Sequence, residues 1–170
     1  MVILGIDPGI ATVGFGVVDA VGGGQRLVKY GIISTPPELR LARRLSQIFS
    51  DIQEIIGLFA PDCMAVEELF FNTNQKTAVS VAHGRGVAIL AGEKRGVPMY
   101  EYTPLQIKQA VTGYGRADKR QVMDMVRRLL EMDETPRPDD AADALAVAIC
   151  HARFAGSLIG MKGADECSTI

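Results

Sequence analysis

Histidine is scarce in this chain of 170 residues, with one copy at position 83 and one at 151. A zinc site built on imidazole therefore has little to draw on, and His83 and His151 both read as structural residues. Cysteine is almost as rare. Cys63 stands in an apolar strand, Cys150 in an apolar helix and Cys167 near the C-terminus. Their spacing fits no metal knuckle, and they read as buried free thiols in a reducing cytoplasm. No apolar run approaches the ~20 residues of a membrane helix, so a cytoplasmic chain without a membrane partner is expected. The opening "MVILGIDPG" has no basic region and meets Asp7 at once, which reads as a first strand and not a signal peptide. There is no G-x-x-x-x-G-K-[ST], because "GYGRADKR" sets its glycines and lysine at the wrong spacing. Neither G-x-G-x-x-G after a strand nor G-x-S-x-G occurs, so nucleotide-driven and acyl-transfer chemistry lack local support. No internal repeat or low-complexity segment is present.

Net charge is also small, at −2, which at first argues against a nucleic-acid partner. The distribution argues otherwise. Between Lys76 and Arg128 ten basic residues face four acids, an excess of six positive charges. A basic middle with acids gathered elsewhere is the polarity that phosphate backbones select. Hydrophobic content of 48% and charged content of 22% describe an ordinary globular chain of one-domain size.

The element pattern is α/β. "VILGID" at 2–7 ends at Pro8-Gly9, "TVGFGVVDAV" follows at 12–21, and Gly22-Gly23-Gly24 turns into "RLVKYGIIS" at 26–34. Three strands with short connections predict an antiparallel meander. Leu45, Ile48, Phe49, Ile52, Ile55, Ile56 and Phe59 recur at helical steps, and "CMAVE" at 63–67 is the next strand. A helix over 77–95 is rich in Ala and Gly, which predicts close packing against another element, inside the chain or in a second copy. A strand at 97–103 follows, then the short helix "PLQIKQAV", the loop "TGYGRAD" and the basic helix "KRQVMDMVRRLL". A final helix, "DDAADALAVAICHARF", is entered through acids. Residues 1–155 form one expected domain and 156–170 a flexible tail.

Asp7 and Glu67 both stand at the C-terminal ends of strands, the edge where open α/β sheets bind ligands. Asp140 and Asp143 are three apart and share a face in the first turn of the last helix. Asp139, after Pro138, suits the helix cap, although Asp139 and Asp143 are also one turn apart. Four like charges in one place repel unless cations are bound, and all-oxygen ligation suits Mg²⁺ or Mn²⁺. In "AVEELFF" strand alternation sends Glu67 and Glu68 to opposite faces, so one of the two is expected to join Asp7.

The blocks "GIDPGIATVGFGVV", "AVEELFF", "HGRGVA", "QIKQAVTGYGRADKRQV" and "DDAADALAVAICH" together resemble the RuvC-type Holliday junction resolvases, from residue 2 to about residue 153. The resemblance implies a ribonuclease H-like fold, with a mixed five-stranded sheet flanked by helices, working as a homodimer. It implies cutting of four-way DNA junctions by paired symmetric nicks, with two Mg²⁺ per active site and Mn²⁺ able to substitute. Its four catalytic and metal-binding carboxylates fall on Asp7, Glu67, Asp140 and Asp143, and its supporting lysines on Lys108 and Lys119. The aromatic that probes the junction centre falls on Phe70, with Phe71 anchoring the loop. Arg85, Gly113, Gly115, Arg116, Lys119 and Arg120 are the remaining expected DNA contacts. Branch-migration motor proteins of the RuvA and RuvB type are the implied partners. Glu68 stands where the family commonly carries glutamine. A ribonuclease H-like RNA-processing nuclease is the alternative. An actin-like ATPase would need a second domain, and a binding-only module would not need all four acids.

Overall fold

The computed structural model describes residues 1–68 and 75–160, with the side chains of 75–78 and 157–160 left aside. Strand β1 (Val2–Asp7) pairs antiparallel with β2 (Thr12–Val21), which pairs antiparallel with β3 (Gly24–Ser34). This is the predicted meander. On its other side β1 runs parallel to β4 (Cys63–Glu67), and β4 runs parallel to β5 (Met99–Tyr102). The sheet order is β3-β2-β1-β4-β5, so β1 is central and mixed in its pairing.

Helices cover both faces. Helix α1 (Leu41–Phe59) buries Ile48, Ile52, Ile55 and Ile56 along one stripe and closes on Ala60 in the left-handed conformation before Pro61. With α2 (Gln75–Lys94) it covers the face of Leu4, Ile6, Val13, Val17 and Met64. The opposite face, from Ile3, Val18, Cys63 and Ala65, packs under α3 (Pro104–Thr112), α4 (Lys119–Leu129) and α5 (Asp139–Gly160). Capping boxes fix the starts of α3 and α4: Thr103 with Gln106, and Asp118 with Gln121.

Helix α5 is buried on almost every side from Ala141 to Ala152, because it lies between the sheet and the two shorter helices. Its alanines meet glycines on the strands. A Cβ built on Gly5 would lie 2.1 Å from the Ala144 carbonyl oxygen, and one on Gly14 only 1.9 Å from that of Asp140. The helix backbone therefore rests directly on β1 and β2, which side chains at these positions would prevent.

Small residues on α2 serve the same purpose on the other face. Gly84 abuts the Gly9 backbone, Gly92 meets Met64 Sδ, and Ala88 and Ala91 are buried. Packing within the chain thus consumes that stripe, while Gly86 faces open space and Val79 and Leu90 are exposed. Helix α5 runs to Gly160, four residues beyond the predicted onset of the tail at Gly156; residues 161–170 lie outside the described residues. Among the described residues no helix is long and apolar enough to cross a membrane.

Candidate active site

Strand parity assembles the site. Ile3 and Gly5 face α5, so Asp7, two residues on, points to the same side of β1. Cys63 and Ala65 face α5 as well, which places Glu67 on that side and Glu68 on the other. The parallel register pairs Ile6 with Val66, leaving Asp7 and Glu67 at adjacent strand ends. Contact between Gly14 and Asp140 brings the first turn of α5 down beside them, since Gly14 is the register partner of Asp7.

The electrostatics register this convergence. Burial, then the charges of Asp143, Glu67 and Asp140, push the Asp7 carboxyl up from 3.8 to about 7, with Lys119 pulling the other way. Glu67 is raised by burial and by Asp143, against the nearby Lys108. Asp143 is raised by burial, against a hydrogen bond and charge from Lys119. Burial alone would lower the Lys119 ammonium, but Asp143 and Asp139 outweigh it and hold it above the ordinary lysine value.

Two lysines flank the acids. Lys119 begins α4 directly after the Asp118 cap, and its Nζ lies 3.1 Å from Asp143 Oδ2 and 3.3 Å from Asp139 Oδ2. Lys108, on α3, shares with Glu67, Lys119 and Asp143 the lining of a cleft of about 290 Å³. Asp139 differs from its expected capping role. The helix begins at Asp139, and the Pro138 carbonyl accepts from the N–H groups of Ala141 and Ala142, so Pro138 occupies the cap position. Asp139 then faces Lys119 across the gap between two helix N-termini, a tertiary contact with no local sequence signal.

Among the described residues no three His, Cys, Asp or Glu side chains close into a ready-made metal cage. The donor chemistry still fits a hard divalent cation. Three carboxylates converge electrostatically on Asp7, all the donors of the four are oxygen, and the Lys119 ammonium already stands where a cation would be stabilised. Histidine stays out: His151 is buried, its Nδ1 2.7 Å from the Tyr102 hydroxyl, and burial lowers its pKa to about 4. His83 is exposed. Cys63 and Cys150 are free, and burial raises both thiols to about 12, which leaves them unreactive.

The expected DNA contacts divide. Arg116 and Arg120 are exposed beside Lys119. Gly113 adopts positive φ to close α3, and its N–H is spent on the Gln109 carbonyl, so it turns the chain instead of offering that N–H to phosphate. A Cβ on Gly115 would collide with Leu105, so the second glycine seats the loop against α3. Arg85 is largely buried in an ion pair with Glu101. Phe70 and Phe71 lie outside the described residues.

A mixed five-stranded sheet with carboxylates gathered at the ends of β1 and β4 and under the first turn of α5 defines a ribonuclease H-like nuclease. Residues 3–151 match the family model described as crossover junction endodeoxyribonuclease RuvC. Proteins carrying that description are similar throughout. The one from Rubrobacter xylanophilus is 58% identical over 151 residues, covering 89% of this chain and 84% of its own length. The one from Desulforamulus reducens is 52% identical over 160 residues, covering 94% and 98%. The structure of Thermus thermophilus RuvC in complex with Holliday junction substrate superposes with a TM-score of 0.87 at 41% identity, covering 91% of this chain and 94% of that one. The chain belongs to the RuvC family of crossover junction endodeoxyribonucleases: it resolves four-way DNA junctions by metal-dependent phosphodiester hydrolysis.

Proposed function

We propose that Asp7, Glu67, Asp140 and Asp143 form the catalytic centre and hold two Mg²⁺ ions, for which Mn²⁺ substitutes. The observation that carries this reading is the convergence on Asp7, whose pKa is pushed up to about 7 by burial first and then by the charges of Asp143, Glu67 and Asp140. When bound, the cations supply Lewis acidity at the scissile phosphate and lower the pKa of an attacking water. The chain's own groups supply the rest. Asp7, on the central strand, orients the site from its floor, while Glu67 and Asp143 face it from two sides. Lys108 and Lys119 place positive charge where negative charge accumulates on the phosphate in the transition state. Arg116 and Arg120 extend that charge along the strand, and Phe70 stacks on bases where pairing is interrupted at the crossover.

A homodimer fits the substrate, because a four-way junction is approximately two-fold symmetric and an isologous interface repeats that symmetry. The open side of α2, with Gly86, Val79 and Leu90, suits such an interface. The products are 5′-phosphate and 3′-hydroxyl ends, and the RuvA- and RuvB-type motor proteins that move junctions are the expected partners.

The deciding experiment offers a synthetic four-way junction, a linear duplex and an RNA–DNA hybrid in Mg²⁺. Paired symmetric nicks confined to the junction are expected; preferential cutting of the hybrid would favour the RNA-processing alternative. Lys119→Ala is expected to slow single-turnover cleavage by roughly 10²-fold, the scale for loss of one transition-state charge contact. Thermal stability should hardly change, since the Lys119 pairs are half-exposed. Cleavage at the wild-type rate would mean the ammonium is a bystander.

A further inference from the structure

Arginines crowd the start of α1 against the local physics. Arg40 holds its cap position without a side-chain cap bond, Arg43 and Arg44 lie in its first turn, and that turn contains no acid. A helix N-terminus carries partial positive charge and favours carboxylates, so three guanidinium groups there oppose the helix they begin. Neutralisation does not explain them. None of the three ion-pairs among the described residues, although Glu38 is close in sequence. Arg40 and Arg43 are exposed. Local choices that conflict with the fold and lack an internal compensation mark places where something outside the chain supplies it.

Their position says what. Thr12 of β2 pairs with Ser34 of β3, and Asp7 of β1 pairs with Gly14, so the starts and ends of these strands define one edge of the sheet. Helix α1 begins at that edge: Gln47 Nε2 donates to the Ser34 carbonyl at 3.2 Å. Arg44 is built into the turn that follows Asp7. Its Nε donates to Thr35 Oγ1 at 2.7 Å, and the buried Thr35 hydroxyl donates in turn to the Ile10 carbonyl at 2.5 Å. Thr35 N–H also donates to Ala11. The end of β3 is two strand spacings from β1, about 10 Å. That is close to the ~12 Å width of a major groove. Lys108 and Lys119 line the cleft with Glu67 and Asp143, on helices that cover the opposite face of the sheet from α1, and Arg116 and Arg120 lie in the loop between those helices and at the start of α4.

We propose that Arg40 and Arg43, with Arg44 as their fixed neighbour, bind the phosphate backbone of a DNA arm leaving the active site across the β3 end of the sheet. The acids are thereby flanked by cations on both sides, and the strand entering over α4 leaves over α1. This rests on the junction-cutting reading and adds to it the second half of the track. These arginines act on binding, not on the reacting atoms.

The test compares Arg40→Glu/Arg43→Glu with wild type and with Arg26→Glu/Lys29→Glu, which makes the same charge change on β3 farther from that edge. Junction affinity of the first variant should fall at least tenfold at ~0.1 M salt. Its plot of log affinity against log salt should be shallower by roughly two, the value for two lost phosphate contacts. The cleavage rate of the saturated complex should stay within threefold of wild type. Its melting temperature should not fall, because glutamate suits a helix N-terminus. Arg40→Lys/Arg43→Lys should keep the wild-type salt slope. Unchanged affinity and slope in Arg40→Glu/Arg43→Glu would overturn the proposal, and so would equal losses in the β3 variant. A wild-type chain that ignores the junction would instead overturn the junction reading beneath it.

Discussion

Asp7→Asn is expected to abolish junction cleavage while leaving junction binding equal or tighter, and to make the metal-free protein more stable above neutral pH. The first part follows from charge. Replacing the central carboxylate by an amide removes the negative charge and one of the two oxygen donors at the point where the charges of Glu67, Asp140 and Asp143 converge. Metal-assisted stabilisation of a phosphoryl transition state is worth several kcal/mol, and each 1.36 kcal/mol is tenfold, so a loss of roughly 10⁴-fold is expected. Binding should survive because less negative charge then opposes the phosphates.

The stability change has a definite sign. The unfolded chain titrates Asp7 near 3.8, whereas the folded chain does so at about 7. Below the lower value both states are protonated and the shift contributes nothing. Between the two, the folded state holds a proton that the unfolded state has released, so stability falls as pH rises and levels off above about 7. The ceiling for a shift of this size is about 4 kcal/mol, and solvent reaching a partly exposed carboxyl reduces it to about 1–3 kcal/mol. Asparagine removes the penalty. In chelator at pH 8 the variant should melt several degrees above wild type, and the two curves should converge toward pH 4. Identical melting at pH 8, or a less stable variant, would mean that burial and neighbouring acids do not burden the Asp7 carboxylate. Saturating Mg²⁺ should close the gap by stabilising wild type selectively.

Much of this was legible from short-range rules. The two-residue period of strands separated Glu67 from Glu68, and the three-residue step of a helix kept Asp140 beside Asp143. Glycine and alanine content announced close packing in α2 without naming its target, because the target is a matter of tertiary contact: Gly84 meets Gly9 in the turn after β1. The same limit hid the pairing of Asp139 with Lys119, which joins two helix starts far apart in sequence. It also hid Arg85, whose positive charge suggested phosphate and whose place in the fold gives it to Glu101. Burial was the missing quantity in each case. The aromatic pair Phe70 and Phe71 lies outside the described residues.

Glycines in β1 and β2 carried no chemical signal, yet they set the spacing of the acids proposed to be catalytic, and Gly14→Ala is the change that tests this. The new methyl would stand 1.9 Å from the Asp140 carbonyl oxygen, 2.4 Å from its carbon and 3.1 Å from the Ala141 nitrogen. All three are backbone atoms, so no side-chain rotation relieves the collision. The first turn of α5 must lift by roughly 1–1.5 Å to restore ordinary contact, and close-packed interiors give way only by moving whole elements. Asp140 and Asp143 ride on that turn, whereas Asp7 and Glu67 are held in the sheet and cannot follow. A displacement of about 1 Å at a reacting centre costs on the order of 10²-fold in rate, and an overpacked core costs about 1–3 kcal/mol in stability. Gly156→Ala, on the same helix but with nothing within 4 Å of the added methyl, should instead stabilise by up to about 1 kcal/mol through helix propensity and leave the rate alone. Cleavage by the Gly14 variant is to be measured well below its melting temperature, with the folded fraction followed by circular dichroism. A folded Gly14→Ala protein cutting at the wild-type rate would show that the acids need no fixed separation. A folded protein that binds junctions normally and cuts them a hundredfold more slowly would place the origin of catalytic geometry in a residue without a side chain.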